Sequence, residues 1–276
     1  MIELTIRNKE YRLDKETLVM GILNVTPDSF SDGGRYNEVS NAIAHAVRME
    51  EEGAHIIDIG GESTRPGHEP VSEKEEMERV IPMIREVKKH ISLPISVDTY
   101  KSEVAERAVE AGADLINDVW GARYDERIAQ VAAATGVPIV LMHNRKERNY
   151  TSLVEDMKAD LEKSVGIARE AGVPENHIIL DPGVGFAKTK EENLIVMRNL
   201  GEFRNLGYPL LLGTSRKRFI GEVLGLGTEE RMEGTGATVC YGVAQGVEIV
   251  RVHDVKEIVR MTKMMDAMME RSDCNG

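Results

Sequence analysis

The sequence predicts an α/β protein of the TIM-barrel class, a (β/α)8 ring with a short N-terminal β-hairpin. Short runs rich in Val, Ile and Leu alternate with segments of helical period, the runs number eight, and a Gly repeatedly stands where a helical segment gives way to the next run. At 276 residues the chain suits one such barrel, which takes about 250. Neither a linker nor a low-complexity tract divides it, so a single domain spanning 1–276 is expected.

In chain order, residues 2–13 alternate apolar and polar (Ile2, Leu4, Ile6, then Tyr11 and Leu13) around Asn8 and Lys9, which reads as a hairpin plugging the barrel floor. The eight apolar runs are 19–23, 55–59, 94–98, 114–119, 137–142, 177–181, 209–213 and 247–252. Near-continuous hydrophobicity of this kind suits parallel strands covered on both sides. Between them, Leu153, Met157, Leu161, Val165 and Ala168 share one helical face, as do Met77, Val80, Ile81, Ile84 and Val87. Pro82 falls inside the second set and should kink or divide that helix. Gly53, Gly112, Gly136, Gly172, Gly207 and Gly246 each precede a strand and suit left-handed helix caps. An open doubly wound sheet is the rival architecture. The count of eight and the spread of polar residues over the strand ends favour closure.

The bulk properties narrow the function. With 47 acidic and 35 basic side chains the net charge is −12, which argues against a nucleic-acid surface and requires a local basic pocket for any anionic substrate. No apolar run approaches the ~18–20 residues of a membrane helix. The first residues lack a basic segment followed by an apolar core, so no secretory signal is expected. Cys240 lies in an apolar segment and Cys274 in a polar tail, which reads as two reduced thiols and a cytoplasmic protein. Met261, Met264, Met265, Met268 and Met269 read as helix packing or a subunit contact, and a homodimer is expected.

In a barrel the site forms at the C-terminal ends of the strands. Here every strand end carries polar groups: Asn24 and a Gly-rich loop after it, Glu62 to Arg65, Asp98, Asn117 and Asp118, His143 and Asn144, Asp181, Ser215 to Lys217, and Arg251 with His253 and Asp254. Taken singly, most have ordinary explanations. Asn24-Val25-Thr26 matches a glycosylation sequon by coincidence, Gly183-Val184-Gly185 is a tight turn rather than a dinucleotide fingerprint, and Thr214-Ser215-Arg216-Lys217 lacks Walker spacing. Asp98 and Asp181 also suit helix N-caps, and a lone His253 is more often structural. Arg251, inside an apolar strand, is the exception, because a buried unpaired guanidinium is too costly to keep without use. The constellation carries more weight than its members.

The stretches 20–34 and 58–67, with 181–186, 213–217 and 251–254 following in order, resemble the signatures of dihydropteroate synthases over essentially the whole chain. The resemblance implies a cytoplasmic transferase joining a dihydropterin diphosphate to p-aminobenzoate with loss of pyrophosphate, in an SN1-like step. It implies Asp181, Asn117 and Lys217 on the edge of the pterin, Arg251 on its face, Met142 and Phe186 as apolar walls, and Asp98 near the ring nitrogens. Arg65, Asn24, His253 and Arg251 would meet the diphosphate, with Mg2+ held in part by Asn24. Phe30, Thr64 and Pro66 would shape the second pocket, and the start of the helix after Ser215 would receive the p-aminobenzoate carboxylate. Asp98, Lys217, Asp32 and Thr64 would be catalytic, with loops 24–36 and 61–70 closing over the cation. Arg218 stands where some members carry Ser, and the backbone N–H survives that change. A pterin-dependent methyltransferase shares the pterin edge but needs neither Arg65 nor the first loop. A non-catalytic pterin-binding protein would not need Asn24, Arg65, Asp98 and Lys217 together.

Overall fold

The computed structural model describes residues 3–7, 9–25, 34–62 and 70–271. β1 (Glu3–Ile6) and β2 (Lys9–Arg12) pair antiparallel, with Ile6 opposite Lys9 and Leu4 opposite Tyr11, so the expected hairpin forms. Arg7 takes a positive φ of 57° at its turn, while Asn8 lies outside the described residues. The ring follows as β3 (Leu18–Asn24), α1 (Gly34–Glu51), β4 (Ile56–Gly60), α2 (Glu73–Val87), β5 (Ile95–Asp98), α3 (Ser102–Ala111), β6 (Leu115–Asp118), α4 (Arg127–Thr135), β7 (Ile139–Met142), α5 (Leu153–Ala171) and β8 (Ile178–Asp181). Two helices, α6 (Lys190–Arg198) and α7 (Leu200–Arg204), separate β8 from the short β9 (Leu211–Leu212). Two more, α8 (Arg218–Leu224) and α9 (Met232–Ala244), lead to β10 (Ile249–Val252) and the closing α10 (Val255–Met268).

The strands run in parallel in the order β8-β7-β6-β5-β4-β3-β10-β9. A parallel bridge from Leu180 to Leu210, with Leu180 N donating to Pro209 O at 2.9 Å, joins the two ends of that order. The sheet is therefore a closed ring, and the open alternative falls.

Strand periodicity then sorts every side chain. Ile57, Ile59, Val97, Ile116, Leu141, Leu180, Leu212 and Val250 point outward and pack under the helices. Leu18, Met20, Ile56, Leu115, Val140, Ile179, Leu211 and Ile249 point inward and form one cluster with Leu4, Ile6, Tyr11 and Leu13 of the hairpin, which fills the barrel floor. An ion pair from Arg7 to the buried Asp114, at the entry to β6, ties that plug to the ring. Two residues further along each strand, period two dictates that the next side chain also points inward. Those positions are Ile22, Asp58, Asn117, Met142, Asp181, Gly213 and Arg251, and on β5 Asp98 follows Ser96 in the same way. An apolar floor thus carries a polar layer above it, at the strand ends.

The helical caps form as expected, and Gly53, Gly112, Gly136, Gly172, Gly207 and Gly246 all have positive φ. Two local expectations differ. Pro82 does not divide α2, because both Pro82 and Glu78, whose carbonyl loses its donor, are exposed to water. The buried face of α2 uses Glu76, Val80, Met83, Ile84 and Val87, with Met77 and Ile81 only half-buried. Among the described residues no helix is long and apolar enough to cross a membrane.

Candidate active site

The polar layer is organised around Arg251. From β10 its Nε donates to Asp58 Oδ2 on β4 at 2.6 Å, and its Nη2 donates to Asp98 Oδ2 on β5 at 2.7 Å. Asn117 Nδ2, from β6, adds a third contact to Asp58 Oδ2 at 3.3 Å. That bond turns the amide so that its oxygen is left to accept from something else. Two carboxylates share one guanidinium; Asp58 and Asp98 are buried, and Arg251 keeps 19% of its side chain exposed toward the mouth. Breaking a buried pair of this kind costs about 3–5 kcal/mol, so the arrangement is rigid.

Opposite stand Asp181 and Lys217. Asp181 ends β8, and its Oδ1 accepts from Gly183 N at 2.7 Å, a local turn rather than a helix cap. Gly183 is forced: its φ is +65°, and a Cβ there would sit 2.0 Å from His143 O. Gly185, at φ +91°, has the Lys217 side chain pressed against it, with Cδ 2.5 Å from where a Cβ would sit. Lys217 donates to Val184 O and lies 4.4 Å from the centre of the Phe186 ring. Phe186 packs with Met142, Tyr100, Val119 and Trp120 to give the apolar wall.

Burial sets the charges. It pushes the Asp98 carboxyl up to about 7, with Arg251 opposing and neighbouring Asp58 assisting. It pulls the Lys217 ammonium down to about 8 against the attraction of Asp181 and Asp98. Asp181 is raised by burial, with Lys217 opposing. A Cβ at Gly213 would lie 3.8 Å from Asp181 Oδ2 and 4.0 Å from Arg251 Cβ, so Asp181 adjoins the Arg251 cluster that holds Asp98 and Asn117, and Lys217 feels the charges of Asp181, Arg251 and Asp98. Asp58 Oδ1, Ser96 Oγ and Asp98 Oδ1 have no protein hydrogen-bond partner among the described residues. Acceptors left open in a buried layer are suited to a ligand's N–H groups.

Ser215 and His253 meet beside this layer, Oγ to Nδ1 at 2.9 Å. Arg216 of the same motif turns away to Asp254 (2.7 Å) and Glu229 (2.6 Å), so it shapes the loop rather than the mouth. The helix expected directly after Ser215 begins only at Arg218, with Lys217 as its N-cap, because Arg216 occupies a left-handed turn at φ 55°. Asn24 stands at the rim, level with Gly60, whose position abuts Asp98. Phe30, Asp32, Thr64, Arg65 and Pro66 lie outside the described residues.

The mouth also contains groups that the sequence reading passed over. Asp58 is fully buried at the heart of the layer. It carried the same signal as Arg251, a charge inside an apolar strand. Tyr100 and Trp120 carried none, since aromatic residues just past a strand are common. Lys101 follows Tyr100 and pairs with Glu62 and Glu76 while donating to Val71 O at 2.9 Å; Tyr100 OH reaches Glu62 Oε1 at 3.0 Å. These contacts pin both flanks of segment 63–69.

A family model described as pterin binding enzyme matches residues 20–253. A dihydropteroate synthase of Bacillus subtilis is 65% identical to the chain, over 93% of the chain and 90% of its own length. A dihydropteroate synthase of Clostridium difficile, crystallised in the presence of pteroic acid, superposes with a TM-score of 0.92 at 49% identity, covering 94% of this chain and 98% of that one. The Xanthomonas albilineans dihydropteroate synthase with 4-aminobenzoic acid gives the same TM-score at 41% identity, covering 97% and 98%.

Proposed function

The chain belongs to the dihydropteroate synthase family of pterin-binding enzymes, transferases of folate biosynthesis, and we propose that the polar layer of its barrel mouth holds the pterin. The reaction condenses 6-hydroxymethyl-7,8-dihydropterin diphosphate with p-aminobenzoate to 7,8-dihydropteroate and pyrophosphate. One observation carries the site assignment: Asp98, Asn117, Asp181, Lys217 and Arg251 come from separate strand ends and interact across one small mouth.

The pterin's pyrimidine edge offers an amide N–H and an exocyclic amine, and the Asp181 carboxylate accepts both. Asn117 Oδ1 accepts from the same amine. Lys217 donates to the ring carbonyl, and Asp98 Oδ1 takes a ring N–H. Arg251, held edge-on by its two carboxylates, presents its plane to the ring face. The bond from methylene carbon to diphosphate oxygen breaks first, and its electron pair leaves with pyrophosphate. The resulting cation is spread over the pterin and faces the Asp98 charge. The arylamine nitrogen then attacks that carbon and gives up one proton. Arg65, His253 and Asn24 meet the diphosphate, and Phe30, Thr64 and Pro66 line the arylamine's place, with Asp32 and Thr64 assisting the chemistry.

Mg2+ fits the rim only as a shared ion. No cluster of three or more His, Cys, Asp or Glu stands ready among the described residues, so Asn24 would give one oxygen and the diphosphate others. The ion's contribution would be to neutralise phosphate charge.

A pyrophosphate-release assay tests the function. Sustained release is expected only with both substrates and Mg2+ present. Sustained release that ignores p-aminobenzoate, or none at all, contradicts the assignment.

The working unit we propose is a homodimer joined through α9 and α10, where Tyr241 (48%), Met264 (59%) and Met268 (58%) are large apolar side chains left exposed. Light scattering should give twice the chain mass, falling to one chain mass in Met264→Asp/Met268→Asp. A wild-type monomer would refute the dimer.

A further inference from the structure

The scheme above gives no part to Lys188, which lies behind the mouth. Lys188 lies between β8 and the N-cap of α6, with its ammonium turned inward. Its Nζ meets three acceptors: Gly183 O at 3.0 Å, Phe186 O at 3.0 Å and His143 Nδ1 at 3.1 Å. An ammonium has three N–H groups, and all are used. His143 is 1% exposed, and burial pulls its imidazole down to about 2, so the ring is neutral. Its Nε2 lies 3.4 Å from Asp160 Oδ2 without forming a hydrogen bond among the described residues, and the Lys188 ammonium at Nδ1 requires a lone pair there, so the ring hydrogen sits on Nε2. Asp160 is itself held by Arg145 (2.5 Å) and Arg123 (3.1 Å).

The segment that Lys188 grips is the turn that aims the pterin groups. Gly183 N donates to Asp181, Val184 O accepts from Lys217, and Phe186 stacks on Lys217. Gly185 N is secured from the far side by Asn193 Oδ1 at 2.6 Å, at the first turn of α6. Lys188 thus holds from behind the turn that Lys217 meets from the front. We propose that Lys188 is a positioning residue for pterin binding, fixing turn 183–186 so that Asp181 and Lys217 stand at the spacing the pterin edge requires. Burial and the nearby Lys217 ammonium pull Lys188 down to about 7 against the attraction of Asp181 and Glu192. No hydrocarbon or single-donor side chain replaces three convergent bonds.

This inference rests on the pterin assignment, and the test separates the two. Wild-type protein is first titrated calorimetrically with pterin itself. Absence of binding there overturns the pterin assignment and this inference with it. If wild type binds, Lys188→Met is expected to weaken pterin at least tenfold and to raise the KM for the dihydropterin diphosphate by a similar factor. The KM for p-aminobenzoate should move less than twofold. Lys188→Gln, which keeps two donors, should fall between, and it carries the same comparison if Lys188→Met does not fold. A purely structural lysine would lower the melting temperature while leaving pterin affinity intact, or would shift both KM values together. Either result overturns the proposal.

Discussion

Asp181→Ala is expected to lower kcat/KM for the dihydropterin diphosphate about a thousandfold and to abolish measurable pterin binding. The carboxylate is 5% exposed, and water cannot readily replace it once the ring is seated. Its loss strands two ligand N–H groups and leaves Lys217 without its closest opposite charge in the mouth. Removing one partner of a buried charged hydrogen bond costs about 2–5 kcal/mol, and about 4 kcal/mol, in the upper half of that range, is roughly three powers of ten. Asp181→Asn should be nearly as damaging, because its amide cannot accept from both N–H groups. The bond from Gly183 N to Asp181 is lost in the Ala variant, so a thermal melt should accompany the kinetics. Turnover within tenfold of wild type by a folded Ala variant would remove Asp181 from the site.

The second large effect is on pH dependence. Asp98 is raised to about 7, so its charged form is lost as pH falls through 7. Lys217 is lowered to about 8, so its charged form is lost as pH rises through 8. A reaction needing both charges therefore follows a narrow bell in kcat/KM, with limbs near 7 and 8. Asp98→Asn should erase the acid limb and lower kcat by about 10²–10³, the scale for removing one preorganised charge from a developing ion. Lys217→Met should erase the part of the alkaline limb near 8 and leave the part that Lys188 contributes near 7. Asp118 also titrates near 7 through burial, but its carboxylate is committed to Trp120 N (2.8 Å) and Ala122 N (2.6 Å). The Asn variant separates the two carboxylates. An acid limb that survives in Asp98→Asn would assign it elsewhere.

The parts of this molecule legible in the sequence are those governed by period and by turn chemistry. Eight apolar runs with Gly caps specify a ring because each depends on local rules that the closed fold does not override. The polar layer was legible through charge: Arg251 cannot sit unpaired in an apolar strand, and its partners had to be among the strand-end carboxylates. The same rule applied to Asp58 would have placed it beside Arg251, since Ile56 and Asp58 share one side of β4. Lys188 was not legible. It sits in a loop where a lysine is ordinarily solvated, and only the folded turn brings three acceptors around it. Lys101 was hidden for the same reason, its partners Glu62 and Glu76 being 39 and 25 residues away. Pro82 misled because the cost of its missing N–H depends on whether the freed carbonyl faces water, which spacing alone does not reveal.

The claim beneath all of this is that a carboxylate and an amide at the strand ends read the amine edge of a pterin. Calorimetric titration of the wild-type protein with pterin and with lumazine, which carries a carbonyl in place of the exocyclic amine, tests it most directly. Lumazine sets an oxygen against Asp181 and should bind at least about a hundredfold more weakly, as buried polar groups left unpaired reject such analogues strongly. Equal affinity for the two would mean that Asp181 and Asn117 do not hold that edge.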